Sequence, residues 1–476
     1  MIATSQGHSN LVGADEEGVE EVRTLLDILR EDLAEHKLSV SQREKSLERV
    51  KVLGRNPENG EPISSVAGLT TLSRYAFEDE AFSVSREALR CLANILFLQP
   101  GTRQTFADLG CAIKATERLK LESCEDEFLV SRILFYLTYN TTLDFNMLAK
   151  EHQLAESINH HMTKHSKRYS RSSRRPSQTS PIDDGAMIET LKLLFNITYY
   201  HPGLASSFTS SIPHILKILC RIQLPSPPLQ EPIKYLINAL MNLDLGNKSA
   251  EILESNPLFP RFNEEQNVER LVYILDQAIQ TYPERELDQA AAPTLTLIRR
   301  TFELAPVKVR KYMKLRMLPT DDSRTKPLGQ DDTLASRLLR CSTSPMLPTL
   351  RESISALMFE LSDKDATKLV HNIGYGYASG FLMSHNIAVP HNIAKANSAH
   401  SGNKSASSVP ENINPVTGQR LDAESRDAGP EMTEDEKERE AERLFVLFER
   451  LKATGVIDVK NPIQQARDEG RFEELD

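Results

Sequence analysis

Two groups of residues in this sequence, a pair of histidines and a cluster of glycines, have spacings that could support chemistry. His161 and His165 are four residues apart, a spacing that lets two imidazoles on one helix face bind the same metal ion. No HExxH pattern surrounds them and they adjoin a basic segment, so a solvated basic helix face is the favoured interpretation. The glycines of NIGYGYASGFL approach a GxGxxG pattern, but no strand pattern precedes them, which argues against a phosphate loop.

Motifs for other enzyme chemistries are missing from the sequence. It contains no GxxxxGK[ST] phosphate loop and no GxSxG nucleophile motif. The five cysteines are scattered without CxxC spacing, so we expect reduced and mostly buried thiols rather than zinc ligands or disulfides. We therefore expect a protein that is not an enzyme and has no metal site and no cofactor.

Composition favours a helical, soluble, intracellular protein. The chain has 476 residues, of which 39% are hydrophobic, 6% aromatic and 26% charged, and it lacks Trp. This is poor in residues that strands prefer, and no apolar run is long enough to span a membrane. The formal net charge of −10 argues against a nucleic-acid partner.

An internal repeat indicates the architecture. The segment ALRCLANILFLQPG, which starts at Ala88, aligns with TLKLLFNITYYHPG, which starts at Thr190. One further copy lies 42 residues after each of these two segments, which makes four copies in all. A period of about 42 residues is typical of armadillo and HEAT repeats. The middle interval is longer, and we assign the excess to a disordered Ser- and Arg-rich insertion at residues 164–185. The prediction is an all-α, armadillo/HEAT-like superhelix over residues 1–390.

Each copy carries apolar positions at helical spacing, which we expect to face the core, and polar positions on another face. The core positions are Leu92, Ile95, Leu96, Leu134, Leu137, Leu194, Ile197, Leu236 and Leu240. The polar positions that stacking would align along one groove are Arg90, Asn94, Arg132, Lys192, Asn196, Lys234 and Asn238. Recurring Asn residues would either hold the main chain of a bound peptide or cap neighbouring turns, and the pattern favours neither alternative.

Residues 307–318 read VKVRKYMKLRML and alternate basic with apolar side chains at helical spacing. Arg310, Lys311 and Arg316 are the residues that we assign to a basic binding surface. Such a helix would bind an acidic peptide, anionic lipid or nucleic acid, or else be a repeat helix with a charged outer side.

The last part of the chain is predicted to differ from the repeats. Residues 391–430 are rich in Ser, Asn, Gly and Pro, which indicates a flexible linker. Residues 431–476 are predicted to hold a tethered amphipathic helix, with Thr433 as its N-cap and an apolar stripe that includes Leu444 and Leu447. A lone helix cannot bury such a stripe, so we expect Phe445, Phe448 and Leu451 to anchor it on a partner.

Several of these segments together resemble the synembryn family of exchange factors and chaperones for heterotrimeric G-protein α subunits (Gα). The matching segments are CLANILF, LLFNITYYHP, VRKYMKLRMLP, NIGYGYASGFL, INPVTGQR and EREAERLFVLFERLKATGVIDVKNPI. The sequence departs from the family pattern at residues 164–185 and in the segment after Leu318.

The resemblance implies that the superhelix cradles the C-terminal helix of Gα while the tail helix reaches its nucleotide-binding side. The protein would thereby release GDP and stabilise the nucleotide-free state. It implies a cytoplasmic monomer without stable membrane insertion, with recruitment to the cell cortex left open. The alternative from a different class is an armadillo-type peptide adaptor or transport scaffold without exchange activity.

Overall fold

The computed structural model describes residues 9–169, 180–246, 256–388 and 413–424, together with Thr433, Arg439 and Arg443. Within these ranges the chain forms 20 α-helices and no extended strand, so the predicted all-α fold is confirmed. The helices are α1 (Ser9–Glu35), α2 (Val40–Leu53), α3 (Glu61–Ser64), α4 (Val66–Glu78), α5 (Phe82–Leu98), α6 (Thr102–Asp108), α7 (Cys111–Arg118), α8 (Cys124–Leu137), α9 (Phe145–Lys150), α10 (Leu154–Arg168), α11 (Pro181–Tyr200), α12 (Ile212–Arg221), α13 (Ile233–Asn242), α14 (Gln266–Thr281), α15 (Glu284–Leu304), α16 (Val307–Met317), α17 (Leu334–Cys341), α18 (Pro348–Leu361), α19 (Ala366–Ile373) and α20 (Tyr375–Ser384).

Helices α2, α5, α8, α11, α13, α15 and α18 form a row in which each helix contacts the next. We call them the ladder helices, and we call their solvent-exposed surface the ladder face. A second row consists of α4, α7, α10, α12, α14 and α17, and each of these contacts one ladder helix. Stacked helix pairs of this kind are the architecture of armadillo and HEAT repeats, as predicted.

The core is continuous through the repeats because the same apolar positions are buried in each copy. All nine predicted core positions, from Leu92 to Leu240, are buried. Local sequence also sets where ladder helices begin. At α8, the Ser123 side chain accepts a hydrogen bond from the backbone N–H of Asp126. Three acidic residues occupy the first turn, where their negative charge interacts favourably with the positive end of the helix dipole.

The histidines of α10 are buried, so the prediction of a solvated basic face is wrong. His165 Nε2 lies 2.6 Å from Glu127 Oε1, and His161 Nδ1 lies 3.1 Å from Glu127 Oε2. The Thr190 hydroxyl also donates to Glu127 Oε1, at 2.8 Å. The sequence around the histidines could not show this, because their partners come from α8 and α11. No cluster of His, Cys, Asp and Glu within the described ranges is arranged to hold a metal ion.

The ends of the predicted insertion are also ordered. Residues 164–168 belong to α10 and residues 181–185 to α11, and Arg168 lies 3.4 Å from Asp183 across the two helices. Disorder is therefore the wrong prediction for these ends, and residues 170–179 lie outside the described residues. The five cysteines are free, and Cys91, Cys111 and Cys341 are buried, as predicted.

The compact unit that contains the repeats extends to Gln419, past the predicted boundary at residue 390. Residues 413–419, which we call the strap, make backbone hydrogen bonds with the start of α20, so the linker prediction does not describe them. Residues 420–476 form a second unit, in which Arg439 and Arg443 are helical. None of the described helices is long and apolar enough to cross a membrane.

Candidate partner-binding surface

The predicted basic positions do lie in one row, but most of them are paired within the protein. Arg90 Nη2 lies 3.4 Å from a carboxylate oxygen of Glu125 on the next ladder helix. Arg132 and Lys192 both contact Glu189, at 2.8 and 3.1 Å. Arg90 and Arg132 are partly neutralised by the next ladder helix and so stabilise the stacking of the repeats, whereas Lys192 pairs within its own helix α11. The charge that this part of the ladder face offers to a partner is smaller than the sequence suggests.

The predicted asparagines do not share one environment. Asn196 is only 4% exposed, and its Nδ2 donates to the Thr138 hydroxyl at 2.8 Å, where Thr138 is the C-terminal cap of α8. This arrangement corresponds to the capping alternative for Asn196. Asn94 and Asn238 are half-buried, so the peptide-holding alternative stays a prediction for those two residues.

Aromatic rings dominate the ladder face between α5 and α11. Phe97 contacts Tyr136 at a centroid distance of 5.7 Å, and Tyr139 contacts Tyr200 at 5.9 Å. Tyr199 lies 5.1 Å from Tyr200 and extends the row along α11. Phe97 and Tyr199 are 60% and 61% exposed, a large apolar exposure for a folded protein. A connected group of exposed rings is typical of a protein–protein interface.

The sequence contained a signal for this aromatic row. In the four aligned copies, the residue seven positions after the basic one is Phe97, Tyr139, Tyr199 and Met241. Positions i, i+4 and i+7 share one helix face, so the copies in α5, α11 and α13 each present a basic residue, a polar residue and a large apolar residue there, whereas Tyr139 follows the end of α8. The predicted groove included only the first two of these positions.

A cavity of about 440 Å³ lies between α13 and α15, and two predicted residues, Lys234 and Asn238, line it. Its other lining residues include Arg285, Gln289 and Thr294. Neither Lys234 nor Arg285 forms an ion pair with any described residue. Lys234 instead sits 4.9 Å from the centre of the Tyr235 ring. Lys234 and Arg285 therefore place unpaired positive charge at this cavity, which the acidic residue Glu286 also lines.

The wall of the cavity on α15 also carries polar groups that have no partner. The Thr294 hydroxyl is fully buried and has no hydrogen bond among the described residues. Pro293 lies inside α15 and lacks an N–H group, so the carbonyl of Gln289 loses its usual helical donor. A bound group that donates a hydrogen bond could pair with this carbonyl. Sequence reasoning missed α15 because the repeat period is not kept after α13 and because proline argues against a helix.

The basic helix α16 forms as predicted, with Val309 and Met313 buried. Arg310 donates to the Glu303 carbonyl at 2.7 Å and lies over the Phe302 ring, whereas Lys311 and Arg316 are exposed. Leu315, one of the apolar residues of this helix, is 67% exposed. The predicted tail anchors Phe445, Phe448 and Leu451 lie outside the described residues.

Burial gives the thiols of this protein little nucleophilic character. It raises the pKa of the Cys91 thiol to about 12, and it also raises the pKa of Cys111.

The described surface is best suited to binding, with aromatic rings for apolar contact and a cationic cavity for acidic or polar groups.

Comparison with known proteins places this surface in a family context. Residues 46–471 match the sequence profile of a family described as guanine nucleotide exchange factor synembryn. The chaperone Ric-8A of Gallus gallus is 26% identical, over 95% of this chain and 89% of its own length. A synembryn-like chaperone of Schizosaccharomyces pombe is 33% identical over 168 residues, which are 34% of this chain and 32% of that protein. A chain from a solved structure in a study of cadherin and β-catenin covers 77% of this chain and 82% of its own, with 12% identity and a TM-score of 0.41.

Proposed function

This chain belongs to the synembryn family of guanine nucleotide exchange factors, and we propose that it binds Gα subunits, releases their GDP and stabilises the nucleotide-free state. It needs no covalent chemistry for this. An exchange factor works by binding the empty form of its partner more tightly than the nucleotide-bound form. By linkage, nucleotide affinity then falls by the same coupling free energy.

The observation that carries the proposal is the exposed aromatic row on the ladder face. Phe97 and Tyr199 belong to the ladder helices α5 and α11, and Tyr139 follows the end of α8 between them. Ring contacts connect the three residues through Tyr136, Phe135 and Tyr200. An amphipathic helix docks by placing apolar side chains against such a row, as in other helix-in-groove complexes. We propose that the C-terminal helix of Gα is the ligand of this surface.

The cavity between α13 and α15 would add polarity to this recognition. Lys234 and Arg285 can attract an acidic side chain of the bound helix. The Gln289 carbonyl can accept a hydrogen bond from a separate N–H or O–H group of that helix. Apolar contact along the row and charge at one end together fix both the register and the direction of a bound helix. A surface of aromatic rings alone would not distinguish the two directions.

The same surface supports the chaperone role that the names of the relatives carry. A Gα chain without nucleotide would expose apolar surface that its folded, nucleotide-bound form covers. The ladder face would cover this apolar surface until the nucleotide binds. Anything that binds one state selectively stabilises that state by mass action. We propose that exchange and chaperoning are two results of this one preference.

The proposal is tested by GDP release from purified Gα with and without this protein. We expect faster release with the intact protein, and slower release when Phe97 and Tyr199 are both replaced by Ser. If the protein binds the C-terminal peptide of Gα but leaves GDP release unchanged, the peptide-adaptor alternative is favoured and the exchange proposal fails.

A further inference from the structure

The N-terminus of α20 is capped by a distant part of the chain. No side chain caps this helix at Gly374. Instead, the first two N–H groups of α20, those of Tyr375 and Gly376, donate to the carbonyls of Pro415 and Val416 at 2.8 and 3.0 Å. The strap thus satisfies donors that a helix start otherwise leaves free. It joins two motifs, NIGYGYASGFL and INPVTGQR, that the repeat architecture by itself does not require.

A second set of contacts holds the other end of the strap. The Leu328 N–H donates to the Thr417 carbonyl at 3.1 Å, and the Arg324 guanidinium donates to the Gly418 carbonyl at 2.8 Å. Arg324 is only 3% exposed. It also donates to the carbonyls of His371 and Asn372 at the end of α19. Its buried charge therefore depends on carbonyl groups, one of which the strap supplies.

These contacts explain the glycine pattern of the surface on which the strap lies, which we call the seat. Gly374 has φ of +76° and ψ of 152°, and a Cβ there would lie 2.8 Å from the Val416 oxygen. A Cβ at Gly376 would lie 3.2 Å from the same atom. A Cβ at Gly380 would meet nothing within 4 Å. The first two glycines thus admit the strap, whereas the third is a natural control.

We infer that the strap is a positioning element that shortens the tether of the tail helix, an inference that rests on the proposed function and on the role in Gα binding that the family resemblance implies for that helix. With the strap seated, 13 residues (420–432) separate the repeat unit from Thr433, the predicted N-cap of the tail helix. With the strap released, the tether begins after residue 388 and has 44 residues (389–432). Gly374 and Arg324 would be positioning residues rather than residues that touch the partner.

Tether length sets how often the tail helix meets a Gα subunit that is already held by the ladder face. For a flexible linker, the effective concentration falls roughly as the −3/2 power of length, so if the tether behaves as the predicted linker, releasing the strap would lower it about sixfold. The affinity for intact Gα should fall by that factor, whereas the affinity for an isolated C-terminal peptide of Gα should not change.

The experiment compares full-length protein with two variants in which the strap is weakened. One replaces residues 413–419 by seven Gly and Ser residues and leaves the seat untouched, and the other is Gly374→Ala, with Gly380→Ala as its control. Hydrogen exchange at Tyr375 and Gly376 should become faster in both weakened variants and not in the control. We expect about sixfold weaker binding of intact, nucleotide-free Gα and unchanged peptide affinity.

A rescue separates tether length from general damage to the fold. Deleting residues 389–412 from the Gly/Ser variant shortens its tether to 20 residues (413–432), which should restore most of the lost affinity. A truncation before Met432 is measured in parallel. If the truncation weakens Gα binding but the Gly/Ser variant does not, the strap inference is overturned and the proposed function stands. If the truncation has no effect on Gα binding, the tail helix has no part in binding and the strap inference is overturned, whereas the proposed function is decided separately by GDP release.

Discussion

Tyr199 is the residue whose replacement tests the binding proposal most directly. Its ring is 61% exposed and stacks on Phe195 at 5.9 Å, so it contributes more to the surface than to the core. We expect Tyr199→Ala to weaken binding of a Gα C-terminal peptide by about tenfold or more, since aromatic anchors are typical hot spots. Fluorescence titration of a labelled peptide measures this effect.

The matched control is Tyr273→Ala. Tyr273 lies on α14 in the second row and is 48% exposed, but it does not belong to the aromatic row. We expect unchanged peptide affinity for this variant. Equal losses in the two variants would show that the rings of the row have no special role.

Asp126 ties two layers of the repeat together, and its ionisation should affect stability. Burial by itself opposes ionisation of this carboxyl, but hydrogen bonds from Arg86, Ser123 and Arg118 outweigh burial and hold its pKa below the ordinary value. The lowered pKa means that this contribution to stability is present above the unfolded-state pKa. It is lost as the pH falls through the folded-state pKa.

Asp126→Asn should therefore lower the free energy of unfolding at pH 7 by about 3 kcal/mol, because it leaves two arginines without a buried carboxylate. The difference between variant and parent should shrink as the pH approaches 3. Urea denaturation at several pH values measures both effects. A difference that stays constant down to pH 3 would contradict the assigned role of the carboxylate charge.

Elements differ in how far the sequence could predict them. Helices α5, α8, α11 and α13 were predictable because their copies keep one register. Helix α15 was not, because Pro293 and a changed interval hide it. The histidine cluster of α10 and the strap depend on partners that are distant in sequence, and local patterns carry no information about such pairs. The aromatic row was within reach of the sequence, since it repeats at a fixed offset from the basic residues.

At the scale of elements, α13 and α15 together provide the charged end of the proposed binding surface. We expect the double variant Lys234→Ala and Arg285→Ala to bind the Gα peptide more weakly and with a smaller dependence on salt. Unpaired cations lose more of their effect at high ionic strength than buried pairs do. Titrations at two or three salt concentrations measure the slope.

Lys150→Ala is the control for this double variant, because Lys150 is an exposed lysine on α9, outside the ladder. Its affinity and salt dependence should match those of the parent protein. If the double variant keeps the parental salt dependence, the cavity does not recognise acidic groups on the partner.

At the scale of the whole molecule, we propose that the repeats bind the C-terminal peptide of Gα and that the predicted tail helix acts with the repeats in stabilising empty Gα. Truncating the chain before Met432 removes the predicted stripe with Phe445, Phe448 and Leu451 but leaves every repeat. Binding of a Gα C-terminal peptide should therefore survive at nearly normal affinity. Each apolar anchor buried in the complex contributes roughly 1.5–3 kcal/mol at most.

Loss of several such anchors would weaken the complex with intact, nucleotide-free Gα by orders of magnitude, and GDP release would slow accordingly. Peptide affinity and GDP release are therefore expected to separate in the truncated protein, which a defect in folding of the repeats would not produce. Both quantities are measured on the same preparation, by peptide titration and by release of labelled GDP from intact Gα. If the truncated protein releases GDP as fast as the full chain, the ladder face acts alone and the tail has no part in exchange.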